Sequence, residues 1–131
     1  MKIHLHIITN ICLLLLLVTG CQDQNTTKSS PQTEMSGRLE AALAMEKGTS
    51  RHNTLCGVAT DAAKAGEVDV VLKAIAEIDA GTQHDNLCSQ CSEALAKQGK
   101  ASEATKVAKQ IADETSRNNL LGRIASGEYK P

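Results

Sequence analysis

The chain carries one aromatic residue, Tyr129, and no tryptophan or phenylalanine among its 131 residues. Single-stranded nucleic acids are held largely by stacking on aromatic faces, and sugar sites use similar surfaces, so both classes lose their usual platform. Charge of one sign never accumulates either. The basic residues, among them Lys64, Lys73, Lys97, Lys100, Lys106, Lys109, Arg117 and Arg123, are scattered, and no run of like charge exceeds two. That pattern argues against a phosphate-tracking surface and against nucleic acid as a partner. There is no glycine-rich phosphate loop, no nucleophile elbow and no His-Glu-x-x-His. Strand signals are missing too. The carboxylates Glu67, Asp69, Glu77, Asp79, Asp113 and Glu114 fall on helix faces or near turns, where solvation and local hydrogen bonding account for them. No enzyme activity and no cofactor are expected.

What the chain does have is a period. Gly66-Glu67-Val68 is followed 33 positions later by Gly99-Lys100-Ala101, and the same step divides the chain into 33–65, 66–98 and 99–131. Thr49, Thr82 and Thr115 share a position, as do Asn53, Asn86 and Asn119, and Arg51, His84 and Arg117. Apolar positions coincide as well: Met45, Ile78 and Ile111; Leu55, Cys88 and Leu121; Val58, Cys91 and Ile124; Ala42, Ile75 and Ala108. A period in the thirties without a β signature predicts an array of α-hairpins. Val68, Val71, Leu72, Ile75 and Ile78 fall on one face of a first helix, and Leu87, Cys88, Cys91 and Leu95 on one face of a second. Between them, Gly81 is expected in the left-handed conformation that ends a helix, with Thr82 capping the next through its hydroxyl. Gly48-Thr49 and Glu114-Thr115 occupy the same place.

With 41% apolar residues and one aromatic, the core must be built from Ala, Leu, Ile, Val and Met. Such side chains bury modest area, at roughly 25 cal/mol per Å², and three units are near the minimum for an array of this kind. Ordinary or marginal stability is expected.

The run Arg117-Asn118-Asn119-Leu120-Leu121-Gly122-Arg123-Ile124-Ala125, together with the Ala-rich first helices and short turns, resembles the tetratricopeptide-like helical repeats of bacteria. The resemblance covers about positions 34 to 127. It implies an all-α fold, three helix-turn-helix units in a short right-handed solenoid, and a scaffold that binds a protein or peptide. It brings no catalytic residue.

The N-terminus carries an address. Residues 1 to 20 read as an export signal: Met1-Lys2, then an apolar run from Ile7 to Val18, shorter than the ~20 residues a membrane-spanning helix needs. Val18-Thr19-Gly20-Cys21 is similar to the bacterial lipobox, which implies signal cleavage and a covalent lipid on Cys21. Acyl chains contribute roughly 0.8 kcal/mol per buried methylene, so several on one residue anchor a protein firmly. In Gram-negative lipoproteins an Asp after the cysteine favours inner-membrane retention. Here Gln22 follows and Asp23 comes one place later, so the resemblance implies the periplasmic face of the outer membrane. Residues 21–32 form a polar tether with no apolar period, holding the domain roughly 20 Å from the bilayer as a flexible coil. Loss of Lys2 with the signal leaves 13 basic residues against 15 acidic.

Cys56, Cys88 and Cys91 remain beyond the signal and Cys21. Cys88-Ser89-Gln90-Cys91 lies inside a helix and not at the start of one in a βαβ setting, so both cysteines read first as small core residues. An oxidising compartment also allows a bridge from Cys56 to Cys88 or Cys91. His84, Cys88 and Cys91 form one stripe at i, i+4 and i+7, and with Cys56 they make a candidate metal set. His52 is given no role. The leading expectation is a non-enzymatic envelope scaffold whose first helices line a groove for an envelope protein or peptide, with Glu67, Lys73, Glu77, Lys106 and Gln110 as contact residues. The alternative is a thiol-redox or metal-handling protein using Cys56, His84, Cys88 and Cys91. A homodimer through one end of the solenoid is a further expectation, because the terminal hairpins lack strong caps.

Overall fold

A computed structural model describes residues 31–129, with side chains from residue 34 onward. The export signal, Cys21 and the tether up to residue 30 lie outside the described residues, as do Lys130 and Pro131.

The described chain is all-helical and contains no strand. In order the helices are α1 (Pro31–Leu43), α2 (Thr49–Ala65), α3 (Val68–Ala76), α4 (Thr82–Lys97), α5 (Ala101–Ala108) and α6 (Glu114–Ala125). Helix α1 opens on proline, whose fixed φ and missing N–H suit a first helical position. Its start at Pro31 falls inside the segment read as tether. No described helix is long and apolar enough to cross a membrane.

Three glycines follow α2, α4 and α6 and close them in the same way. Gly66 (φ 78), Gly99 (φ 76) and Gly127 (φ 75) take the left-handed conformation. At each, two backbone bonds return into the last turn: Gly66 N–H to Ala63 and Glu67 N–H to Ala62; Gly99 to Ala96 and Lys100 to Leu95; Gly127 to Ile124 and Glu128 to Arg123. These are Schellman caps, which satisfy carbonyls the helix cannot. The N-termini correct the sequence reading. Gly81 is itself the N-cap of α4, at φ 156 and ψ −175, and no side chain caps that helix. Thr82 and Thr49 are therefore first helical residues and not caps, since a residue already in helical conformation no longer reaches back to the amides ahead of it. The side-chain cap is Asp113, which accepts from Ser116 N–H at 2.7 Å and opens α6.

Burial recurs at the same interval as the sequence. Leu55, Val58, Ala59, Ala62 and Ala63 are buried on α2, and Cys88, Cys91, Ser92, Leu95 and Ala96 are buried 33 positions on. Val71, Ala74, Ile75 and Ile78 are likewise matched by Ala104, Val107, Ala108 and Ile111. Helix α6 departs: it buries Leu120 and Ile124, while Leu121 is only partly covered. Tyr129 closes that end. Its ring is buried beneath the Arg123 guanidinium, 4.8 Å from the centroid, and its hydroxyl donates to Glu93 at 2.9 Å.

Candidate functional site

The cysteine stripe lies in the core. Cys88 and Cys91 are fully buried and Cys56 half-buried, and all three are free thiols. Burial pushes Cys88 and Cys91 up to about 12 and raises Cys56 as well. A thiol held protonated is a poor nucleophile and a poor metal ligand, because both roles belong to the thiolate. Cys91 Sγ instead donates weakly to the Ala59 carbonyl at 3.6 Å. His84, on the same helix, is buried at α4's first turn, 3.8 Å from Cys88 Sγ through Nδ1. Its Nδ1 also meets Asp85 Oδ1 at 3.1 Å. His52 does have a cysteine four residues on, and Cys56 Sγ stands 3.7 Å from its Nε2. Among the described residues, no group of three or more His, Cys, Asp or Glu side chains is placed to hold a metal ion.

The position shared by Arg51, His84 and Arg117 does structural work. Arg51 donates to Met45 O at 3.4 Å and Arg117 to Ile111 O at 3.0 Å, each reaching the carbonyl six residues back. Arg51 also reaches from α2 to pair with Glu77, where the α3–α4 loop begins. Where His84 replaces arginine, the neighbouring Asp85 holds the α5–α6 loop, accepting from Ala112 N–H at 2.9 Å and Asp113 N–H at 3.0 Å. Those two amides, with a smaller contribution from His84, hold its carboxyl below the usual range. Asp85 was not legible as special: its counterparts 33 positions away are His52 and Asn118.

A concavity of about 890 Å³ opens between α1 and the start of α3. Its apolar floor is Leu39, Leu43, Val68 and Val70, and its rim carries Glu40, Glu67, Asp69 and Lys73. One Glu67 carboxylate oxygen is buried without a hydrogen-bond donor among the described residues. Of the expected contact residues, Glu67 and Lys73 therefore meet in one groove. Glu77 stands outside it in the ion pair with Arg51. Lys106 and Gln110 are exposed at the end of α5, also outside this groove.

A second, shallower groove of about 430 Å³ runs between α2 and α4. Asn53, Gln83, Asn86 and Gln90 line it beside Cys56 and Gly57. The periodic asparagines at 53 and 86 thus project outward and not between helices. No family model matches the chain, and no curated protein or solved structure matches it either.

Proposed function

We propose that the protein is a lipid-anchored, non-enzymatic binding scaffold of the cell envelope. In this reading residues 1–20 are removed and Cys21 carries the lipid. Three 33-residue hairpins stack as a short right-handed solenoid of the tetratricopeptide-like kind on the periplasmic face of the outer membrane. The lipobox-like Val18-Thr19-Gly20-Cys21 supports the anchor. The recurrence of buried positions and of Gly66 and Gly99 at one interval supports the stacked hairpins.

The observation that carries the binding role is the α1–α3 groove. Its volume is in the range of ligand sites, and its rim holds three carboxylates against one lysine. An unpaired buried acceptor costs free energy that a donor from outside can relieve. The partner that fits is a protein segment presenting apolar side chains next to lysine or arginine. Burial that holds the Cys88 and Cys91 thiols protonated supports reading both as core residues of such a scaffold.

The test is a photo-crosslinking amino acid at Lys73 in the full-length protein in its own envelope, with the same group at Lys97, outside the groove, as the reference. A single adduct formed from position 73 and absent from 97, weakened by Glu67→Gln, is the expected result. Equal labelling at both positions, or none at 73, removes the reading. The apolar cleft at the other end, between Thr105 on α5 and Leu121, Ile124 and Ala125 on α6, is where a second copy would add. Sedimentation of the full chain at high concentration should show a dimer that dissociates on Leu121→Glu, at a cleft residue only partly covered in the monomer.

A further inference from the structure

We propose that two copies of the chain close on each other through α6, antiparallel and about a two-fold axis. Each copy's α6 takes, on the other, the place that α3 takes on α2 and α5 takes on α4. This rests on the second copy named above for the α5–α6 cleft and is independent of the α1–α3 groove.

The molecule shows twice what covers this face. Leu55, Val58 and Ala59 of α2 recur 33 positions on as Cys88, Cys91 and Ser92 of α4, and each of the six is at most 1% exposed. Helix α3 returns over α2 from the two-residue turn Gly66-Glu67, and α5 returns over α4 from Gly99-Lys100. Each covering helix therefore runs antiparallel to the one it covers. Ser92 marks how close it comes, since its hydroxyl donates to Ala104 O of α5 at 2.7 Å. The next step of the period falls on Leu121, Ile124 and Ala125 of α6. Among the described residues no helix follows Gly127. Leu121 is only partly covered, and Ala125, the counterpart of Ser92, is exposed. With Ala101, Ser102 and Thr105 of α5 they line a cleft of about 550 Å³.

A second copy could supply the covering helix in two ways, and the side chains choose between them. Head-to-tail addition would bring in α1, the first helix of a unit. Where α3 has Val71 and Ile75, and α5 has Ala104 and Ala108, α1 has Arg38 and Ala42. Arg38 is engaged with Asp61 at 2.8 Å, and Ala42 is already fully buried in its own chain. That stripe is not free to cover another molecule. Helix α6 presents one that is: Asn118, Leu121, Gly122 and Ala125 face outward. A residue on a two-fold axis meets its own copy, so a charge there would meet a like charge. Neither this stripe nor the lining of the cleft carries one. Gly122 lies near the middle of the stripe, and a Cβ on it would meet nothing within 4 Å. The axis runs beside it.

The test mixes two variants. Gly122→Glu and Gly122→Lys each set like charges face to face in a homodimer and opposite charges in the mixture. Sedimentation of the full chain in detergent, at rising concentration, compares wild type, each variant and the equimolar mixture. Wild type should reach a dimer and stop there. Each variant alone should dimerise at least about tenfold more weakly, because like charges are juxtaposed, and the mixture should regain the dimer. Both residues suit a helix better than glycine, so neither variant should unfold at a lower temperature than wild type. Asn118→Glu mixed with Ala125→Lys gives a second reading, since antiparallel pairing sets 118 of one copy beside 125 of the other. That mixture should dimerise more tightly than either variant alone. A monomeric wild type, variants that dimerise as it does, mixtures that do not recover, or a series that grows past the dimer each overturns the inference. All four leave the crosslink from position 73 untouched, so the scaffold reading stands or falls separately.

Discussion

Asp85 holds one loop through two backbone amides, and that single carboxylate makes the acid behaviour of the protein predictable. Its folded pKa lies below the usual value, so its contribution is present above the unfolded value of about 3.9. It is lost as pH falls through the lower folded value. Asp85→Asn should cost about 1.5–3 kcal/mol at neutral pH, the range for hydrogen bonds to a charged group. Urea unfolding at pH 7, 4 and 2.5 should show the two proteins converging at the acid end; a constant difference would show that the carboxylate's charge is irrelevant. The thiols give a second test at this scale. Cys88 and Cys91 are pushed to about 12 by burial, so at pH 8 an alkylating reagent followed by peptide mapping should label Cys56 first. The two buried thiols should react only on unfolding.

At the scale of helices and turns, the faces were readable because burial follows the 3.6-residue period closely. Leu87, Cys88, Cys91 and Leu95 are all buried, and so are Val71, Ile75 and Ile78, whereas Val68 and Leu72 of the expected face are only partly covered and Val70 is buried beside them. Ser92 broke the hydrophobic rule and could not be found that way: it is fully buried because its hydroxyl donates to Ala104 O at 2.7 Å. The turns were harder. Thr49 and Thr82 had the right composition for caps, but the chain enters each helix on an extended glycine, which places the threonine one residue too late. The grooves were half legible. Charge marked Glu67 and Lys73, whereas only their shared period marked Asn53 and Asn86, which burial then placed on the surface. Gly66 is a turn residue with little freedom to change. A Cβ at its φ of 78 is strained and would stand 2.0 Å from Lys100 Nζ, the group that donates to Gly66 O. Gly66→Ala should lower stability by about 1–2 kcal/mol. Gly37→Ala, in an open helical position, should raise it by about 0.5–1 kcal/mol. Thermal melts of the pair separate backbone strain from helix propensity.

Across the whole molecule the core is continuous but light. Its largest fully buried side chains are Leu55, Ile75, Leu95 and Ile111, and alanine fills many of the rest. Removing one of the four should therefore be felt globally: Leu95→Ala is expected to cost about 2–5 kcal/mol, enough to populate unfolded protein at 37 °C if stability is marginal. The load is uneven along the chain. Helices α2 to α5 hold most of the buried set, whereas α6 contributes two residues and depends on Tyr129 and on the Arg123 pairs with Glu93 and Glu128. Hydrogen exchange should find α6 opening below the global unfolding free energy, and Tyr129→Ala should lower protection in α6 more than in α2.

Tyr129 is also the only ultraviolet chromophore of note in the protein. Its hydroxyl is bound to Glu93, its ring lies under Arg123, and its ionisation is pushed up to about 12. Intrinsic fluorescence and near-ultraviolet dichroism are therefore local instruments, blind to everything but the last turn of the chain. A melt followed by tyrosine emission would report the departure of that end, and the same melt followed by helical dichroism would report the rest. Two curves that do not superimpose would be the optical signature of a molecule that opens from its C-terminus.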